Sequence, residues 1–135
     1  MIQLQLKNHQ LWQDFAEIVK TLDTDTLVKE HLELCDYQLS GYWDEEDQYY
    51  ETIILPRSLV PELVSSFIGF EHQERFLQLK FVLKFVTVNP NFSTDNSLQK
   101  ICELLLTYNE NLQFIDENWL LDSDFLAACN SDRKH

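Results

Sequence analysis

The stretch FLQLKFVLKFVTV at residues 76–88 places the strongest constraint on what this 135-residue chain can fold into. As a strand, it would carry one apolar face, formed by Leu77, Leu79, Phe81, Leu83 and Phe85. The other face would carry Gln78, Lys80, Val82, Lys84 and Val86. As a helix, it would expose apolar residues on every side. The alternation and the β-branched end favour a strand, and a helix is the alternative.

Residues 34–55 predict a hairpin, because two aromatic and β-branched runs flank four consecutive acids at 44–47. A four-residue loop would pair Trp43 with Gln48 and Tyr42 with Tyr49. One face of this hairpin would then be core: Tyr37, Leu39, Trp43, Tyr50 and Ile54. The opposite face would be exposed: Ser40, Tyr42, Tyr49 and Glu51.

The remaining segments mix the two periodicities. Residues 112–121 predict a further strand, and residues 23–31 predict a short helical turn that enters a strand. Helices are predicted at 9–22, 56–67, 96–108 and 122–129. Together these elements predict an α+β fold with a mainly antiparallel sheet packed with three to four helices, in a single domain spanning residues 1–135.

The chain is strongly acidic, with 23 acids, 10 bases and a formal net charge of −13. Phosphate binding requires Lys and Arg, so direct binding of nucleic acid is not expected. The same field would repel anionic lipid and attract basic proteins. The alternative interpretation is that the acidity only keeps a small protein soluble.

The charges are also unevenly distributed. Residues 30–55 hold eight acids and residues 101–132 hold seven, and neither segment contains Lys or Arg. Four bases lie in residues 75–100 beside one acid, Asp95. Lysines of the 76–88 strand are expected to pair with an acidic neighbour across the sheet. Four bases cannot neutralise fifteen acids, so most of the negative charge should face solvent.

No motif predicts catalysis or metal binding. The segment from Asp23 begins like a calcium loop, but Val28 stands where glycine is required and Leu34 where a carboxylate is required. His31 and Cys35 have no second ligand pair nearby. Glu74, Gln78 and Lys80 only faintly follow a nuclease pattern, and no GxSxG is present. We therefore expect a non-enzyme without metal or cofactor, and an enzyme with a dispersed site is the weaker alternative.

The cysteines Cys35, Cys102 and Cys129 are odd in number and widely spaced, which is typical of reduced thiols. The first residues lack a charged start followed by an apolar segment, and the 76–88 run is too short to cross a bilayer. We expect a cytoplasmic protein that does not enter membranes.

The sequence-based hypothesis is a small acidic binding protein that occludes a basic protein partner. Immunity proteins, antitoxins, nuclease inhibitors and DNA mimics share this size and charge, so the partner could be a nuclease or another nucleic-acid-binding protein. The alternative is a non-catalytic structural subunit or assembly factor that uses its apolar strands. The predicted partner-binding residues are Tyr42, Asp44, Glu45, Glu46, Asp47, Tyr49, Glu51, Asp116 and Glu117.

Overall fold

The structure, a computed structural model, describes residues 9–88 and 96–131. Its elements are α1 (Gln10–Thr21), α2 (Thr24–Leu34), β1 (Gln38–Trp43), β2 (Tyr49–Ile54), β3 (Leu59–Glu71), β4 (Glu74–Val88), β5 (Asn96–Asn109), β6 (Phe114–Leu121) and α3 (Ser123–Ser131). Strands β1 and β2 form a hairpin, and β3, β4, β5 and β6 form an antiparallel sheet in that order. The predicted α+β fold dominated by antiparallel strands is confirmed.

Strand β4 lies inside the four-stranded sheet, with β3 on one side and β5 on the other. The side chains of Leu79, Phe81 and Leu83 are fully buried, and Leu77 is nearly so. They form one face of the strand, whereas Gln78, Lys80 and Val82 on the other face are only partly covered. The strand prediction for residues 76–88 is therefore confirmed and the helical alternative is excluded.

Two predicted helices are strands. Residues 56–67 fall largely in β3, and residues 96–108 form most of β5. In β3, Pro61 lies on a strand at the edge of the sheet, the position in a sheet where proline is tolerated. In β5, consecutive apolar residues fit both a helical and a strand period, so the pattern could not separate them. Pairing with β4 makes this segment a strand, because the buried backbone groups of β4 need hydrogen-bond partners on both sides.

Helix α2 is longer than predicted and does not enter a strand at residue 31. Asp23 caps it by accepting hydrogen bonds from the Thr26 backbone N–H at 3.2 Å and from Thr26 Oγ1 at 2.7 Å. These two hydrogen bonds lower the pKa of Asp23 below its ordinary value. The helix buries Val28 and Leu32 in the same core as β4. The acids that imitate a calcium loop thus begin a helix.

The hairpin is confirmed, but its register differs by one residue from the prediction. Trp43 pairs with Tyr49, and Tyr42 pairs with Tyr50. The backbone N–H of Asp44 donates to the Gln48 carbonyl, which closes a five-residue loop rather than a four-residue one. Since a one-residue shift moves side chains between faces, the predicted faces of the hairpin are partly wrong.

Gly41 is the point where the hairpin departs from regular alternation. It has φ of +71°, a conformation that glycine adopts at little cost. Before it, Leu39 is buried, whereas after it Tyr42 turns inward and Trp43 is 62% exposed. Tyr50 is buried as predicted, but Trp43 and Ile54 are exposed rather than core.

The three cysteines are free thiols. Cys102 is buried in β5, and burial raises its pKa to about 12. It therefore packs as a small apolar side chain.

Across the described ranges, no helix is long and apolar enough to span a bilayer.

Two adjacent leucines in β5 test its assignment as a strand. Leu104 is fully buried against β4, whereas Leu105 lies on the opposite, partly covered face. We expect Leu104→Ala to lower the free energy of unfolding by about 2–5 kcal/mol, and Leu105→Ala to lower it by much less. Denaturant unfolding measures both. A helix over 96–108 would place Leu105 in its apolar stripe, so the reverse order would contradict the strand.

Candidate protein-binding surface

An exposed aromatic pair marks the end of the hairpin. The rings of Trp43 and Tyr49 lie opposite each other, with centroids 4.9 Å apart and planes inclined by 50°. Trp43 is 62% exposed and Tyr49 is 48% exposed. Such a cross-strand pair stabilises the hairpin, but it leaves a large apolar surface in water. We call residues 43–49 the hairpin tip.

Asp44 organises the hairpin tip. Its Oδ1 accepts hydrogen bonds from the backbone N–H groups of Glu46 and Gln48, each at 2.9 Å. Its Oδ2 accepts from the Tyr50 hydroxyl at 3.3 Å. Both carboxylate oxygens are therefore engaged within the loop, so among the predicted binding residues Asp44 has a structural role.

The other acids of the hairpin tip carry uncompensated charge. Glu45, Glu46 and Asp47 are exposed, and so is Glu51 on β2. Within residues 9–88 and 96–131, none of these four forms an ion pair. The structure brings them together with Tyr49, as the sequence predicts, and it adds Trp43, which the sequence assigned to the core. The misleading signal was the alternation continuing from Leu39, which Gly41 interrupts with its φ of +71°.

Tyr42 does not belong to the exposed face that the sequence predicted. It is half-buried, and its hydroxyl accepts a hydrogen bond at 3.1 Å from the backbone N–H of Leu121 in β6. Its ring also lies 6.2 Å from that of Tyr50. Tyr42 thus ties the hairpin to the four-stranded sheet, and it fixes the orientation in which the hairpin tip is presented.

A cleft of about 350 Å³ lies between the hairpin tip and the start of α3. Its charged lining consists of Asp44, Glu45, Glu46 and Asp122 against one base, Lys100. Its apolar lining includes Leu121, Leu126 and Ala127. Carboxylates around an apolar floor suit an Arg or Lys side chain, whose methylenes can pack while its head pairs with acids. Sequence reasoning missed Lys100 and Asp122, because the fold alone brings them to this cleft.

Asp116 and Glu117 lie on opposite faces of β6, as alternation requires. Asp116 is exposed, whereas Glu117 pairs with His31 of α2. The His31 ring lies 4.9 Å from that of Phe114 and 6.5 Å from that of Trp119. Glu117 also lines a groove of about 550 Å³ opposite Tyr42 and Trp43 of β1. It therefore lies near the hairpin tip but is held by an internal partner.

The expected pairing of lysines across the sheet is present. Lys84 on β4 contacts Glu62 on β3 at 2.6 Å, and Lys80 on β4 contacts Glu103 on β5 at 3.6 Å. Lys100 adds a second contact to Glu103 at 2.9 Å. These bases are therefore engaged within the sheet and leave the hairpin acids unneutralised.

Across the described residues, no three His, Cys, Asp or Glu side chains come together as a set that could hold a metal ion. His31 and Cys35 line one cavity of about 370 Å³, but further thiol or imidazole groups do not join them there. Comparisons with protein-family models, curated proteins and solved structures found no match to this chain.

The hydrogen bond between Tyr42 and Leu121 can be tested by removing the hydroxyl oxygen of Tyr42. We expect Tyr42→Phe to lower the free energy of unfolding by about 1–2 kcal/mol, because the backbone N–H of Leu121 loses its acceptor. Tyr49→Phe is the matched control, since its hydroxyl forms no hydrogen bond within the described residues, and it should change little. Equal losses in the two variants would contradict the tie.

The Glu103 cluster predicts a pH dependence. The hydrogen bond from Lys100 is the main reason why the pKa of Glu103 lies below its ordinary value of 4.5. The positive charges of Lys100 and Lys80 lower this pKa further. Because its pKa is lower in the folded state, the carboxylate stabilises the fold above pH 4.5, and this contribution is lost as the pH falls through the folded-state pKa. Glu103→Gln should cost about 1 kcal/mol at neutral pH, and this cost should shrink as the pH falls below 4.5. Urea unfolding at several pH values checks this, with exposed Glu74→Gln as the control, and a loss independent of pH would contradict it.

Proposed function

We propose that this chain is a small, non-catalytic acidic protein that binds and occludes a basic protein partner through the hairpin tip. The observation that carries the proposal is the exposed Trp43–Tyr49 pair beside four acids that form no ion pair within the described residues. Either feature alone has a simpler explanation. Together they have the composition of a protein-recognition surface, with an aromatic centre and a charged rim.

The aromatic pair would supply the anchor. Trp and Tyr dominate the binding energy of many protein interfaces, because one flat ring buries much apolar area with few rotatable bonds. Trp43 keeps 62% of its surface in water, so most of its ring is available to a partner. Covering it would contribute about 2 kcal/mol from apolar burial.

The acids would supply selectivity and speed. At a net charge of −13, the field of the protein attracts basic surfaces and repels nucleic acid. Exposed acids at the rim of an interface mainly raise the association rate, and that effect weakens with salt. The cleft beside Asp122 would accept one Arg or Lys side chain of the partner. Such a partner would be a nuclease or another nucleic-acid-binding protein, whose own phosphate-binding residues would be covered.

A hexa-arginine peptide provides a defined probe of this surface. We expect it to bind with an affinity that falls as salt rises, and Trp43→Ala to weaken binding by about tenfold or more. Replacing Glu45 and Glu46 together by Gln should weaken binding by about three- to tenfold, as the loss of two exposed charges implies. Fluorescence anisotropy of the labelled peptide measures each affinity.

The turn between β3 and β4 supplies the matched control. Glu71 and Glu74 are exposed acids of another hairpin, and replacing both by Gln changes the net charge equally. This double variant should bind the peptide nearly as well as the unmodified protein. If it weakens binding as much as the Glu45/Glu46 variant, only total charge matters and the proposed surface is wrong. A loss of stability in Trp43→Ala as large as that in Leu104→Ala would also contradict the proposal.

A second function is favoured by a different observation. The face of the sheet opposite the core carries exposed apolar side chains, among them Val60, Phe67 and Leu120. A structural subunit or assembly factor would use this face and would bind independently of salt. A partner that remains bound at high salt and is released by Phe67→Gln would favour this second function over the first.

A further inference from the structure

An apolar groove of about 700 Å³ lies between α1 and the ends of β3 and β4, and no residue of the hairpin tip lines it. Helix α1 contributes Leu11, Trp12, Phe15 and Ile18 to its lining. The opposite wall is aromatic and aliphatic, with Phe67, Ile68, Phe70, Phe76 and Leu77. The volume is within the range of about 300–1,000 Å³ that is usual for small-molecule sites.

The apolar side of α1 is poorly covered by the rest of the described chain. No residue of this helix is buried, and Leu11, Trp12 and Ile18 are each about half exposed, at 49%, 50% and 46%. Across the groove, Phe70 is 73% exposed. Apolar surface gathered in this way around a concave site is typical of a ligand groove.

Arg75 is the one basic residue in the groove lining. Its guanidinium lies over the Phe70 ring, 6.0 Å from the centroid, and it forms no ion pair within residues 9–88 and 96–131. Arg57 shows the contrast, because it also lies over an aromatic ring, Tyr37, but pairs with Asp36 at 2.8 Å. Because no described carboxylate pairs with it, this guanidinium is available for an anion.

We propose that this groove binds a single-chain amphiphile with an anionic head, of the fatty-acid class. The hydrocarbon chain lies between α1 and the aromatic wall, where the burial of each methylene favours binding. The carboxylate head pairs with Arg75, whose planar fork matches two oxygens. Glu110 also lines the groove and weakens binding of this head by repulsion.

The charge of the chain favours a free molecule over a membrane surface. A bilayer that contains anionic lipid would face the whole field of a protein with net charge −13. A single head group beside Arg75 meets mainly local charges, because more distant ones are screened within about 8 Å at physiological salt.

Isothermal titration with dodecanoate tests the proposal, with dodecanol as the uncharged probe. We expect dodecanoate to bind more tightly than dodecanol. Arg75→Gln should weaken the binding of dodecanoate by about tenfold or more and leave the affinity for dodecanol unchanged. Arg57→Gln is the matched control and should change neither affinity. Ile18→Asp, at an exposed position of α1, should abolish the binding of both molecules. Glu110→Gln should strengthen the binding of dodecanoate.

Several results would overturn the proposal. Absence of dodecanoate binding, equal binding of dodecanol, or full binding by Arg75→Gln would each do so. Co-sedimentation with vesicles of phosphatidylglycerol, lost in Arg75→Gln, would assign the groove to a membrane surface instead. A dimer in sedimentation equilibrium that Ile18→Asp separates and dodecanoate does not would assign it to a second copy of this chain. A far-UV circular dichroism spectrum unchanged by Ile18→Asp keeps the loss of binding interpretable.

Discussion

The pairing of β4 with β3 and β5 is the constraint on which the rest of the structure depends. Its inward side chains, Leu79, Phe81 and Leu83, are fully buried, so the strand must have neighbours on both edges. This requirement explains why β3 and β5 are strands, although the sequence pattern of each segment also fits a helix. The hairpin and α2 then contribute Tyr50, Ile53 and Leu32 to the same core. The orientation of the hairpin tip follows from this core and from the tie between Tyr42 and β6.

The outward face of β4 determines which charges are paired within the protein and which remain free in solvent. Its lysines pair with Glu62 and Glu103 on the neighbouring strands, so the sheet uses the central bases of the chain internally. The acids of the hairpin tip lie outside this arrangement and keep their charge. Exposed acids without an ion pair among the described residues thus lie beside two exposed aromatic rings. The proposed binding surface depends on this separation more than on the total charge.

The sequence predicted those elements whose side chains obey a single periodicity. Strand β4, the hairpin, β6 and the helices α1 and α3 were identified, because alternation or amphipathic spacing favoured the correct element there. The strand β5 was missed, because its consecutive apolar residues satisfy both periods and only pairing with β4 separates them. Trp43 was assigned to the core, because regular alternation continuing from Leu39 would place it there, and Gly41 with its φ of +71° breaks that alternation. The cleft and the groove join distant segments, so no local pattern could predict them.

The central claim is that Trp43 and the acids beside it select a basic partner. Capture from a lysate of the cells that produce the protein tests this most directly, with the unmodified chain, Trp43→Ala and the Glu71→Gln/Glu74→Gln control side by side. We predict that a basic protein is retained at low salt by the unmodified chain and by the control, is released at high salt, and is absent with Trp43→Ala. Retention of the same proteins by all three, or capture insensitive to salt, would contradict the account.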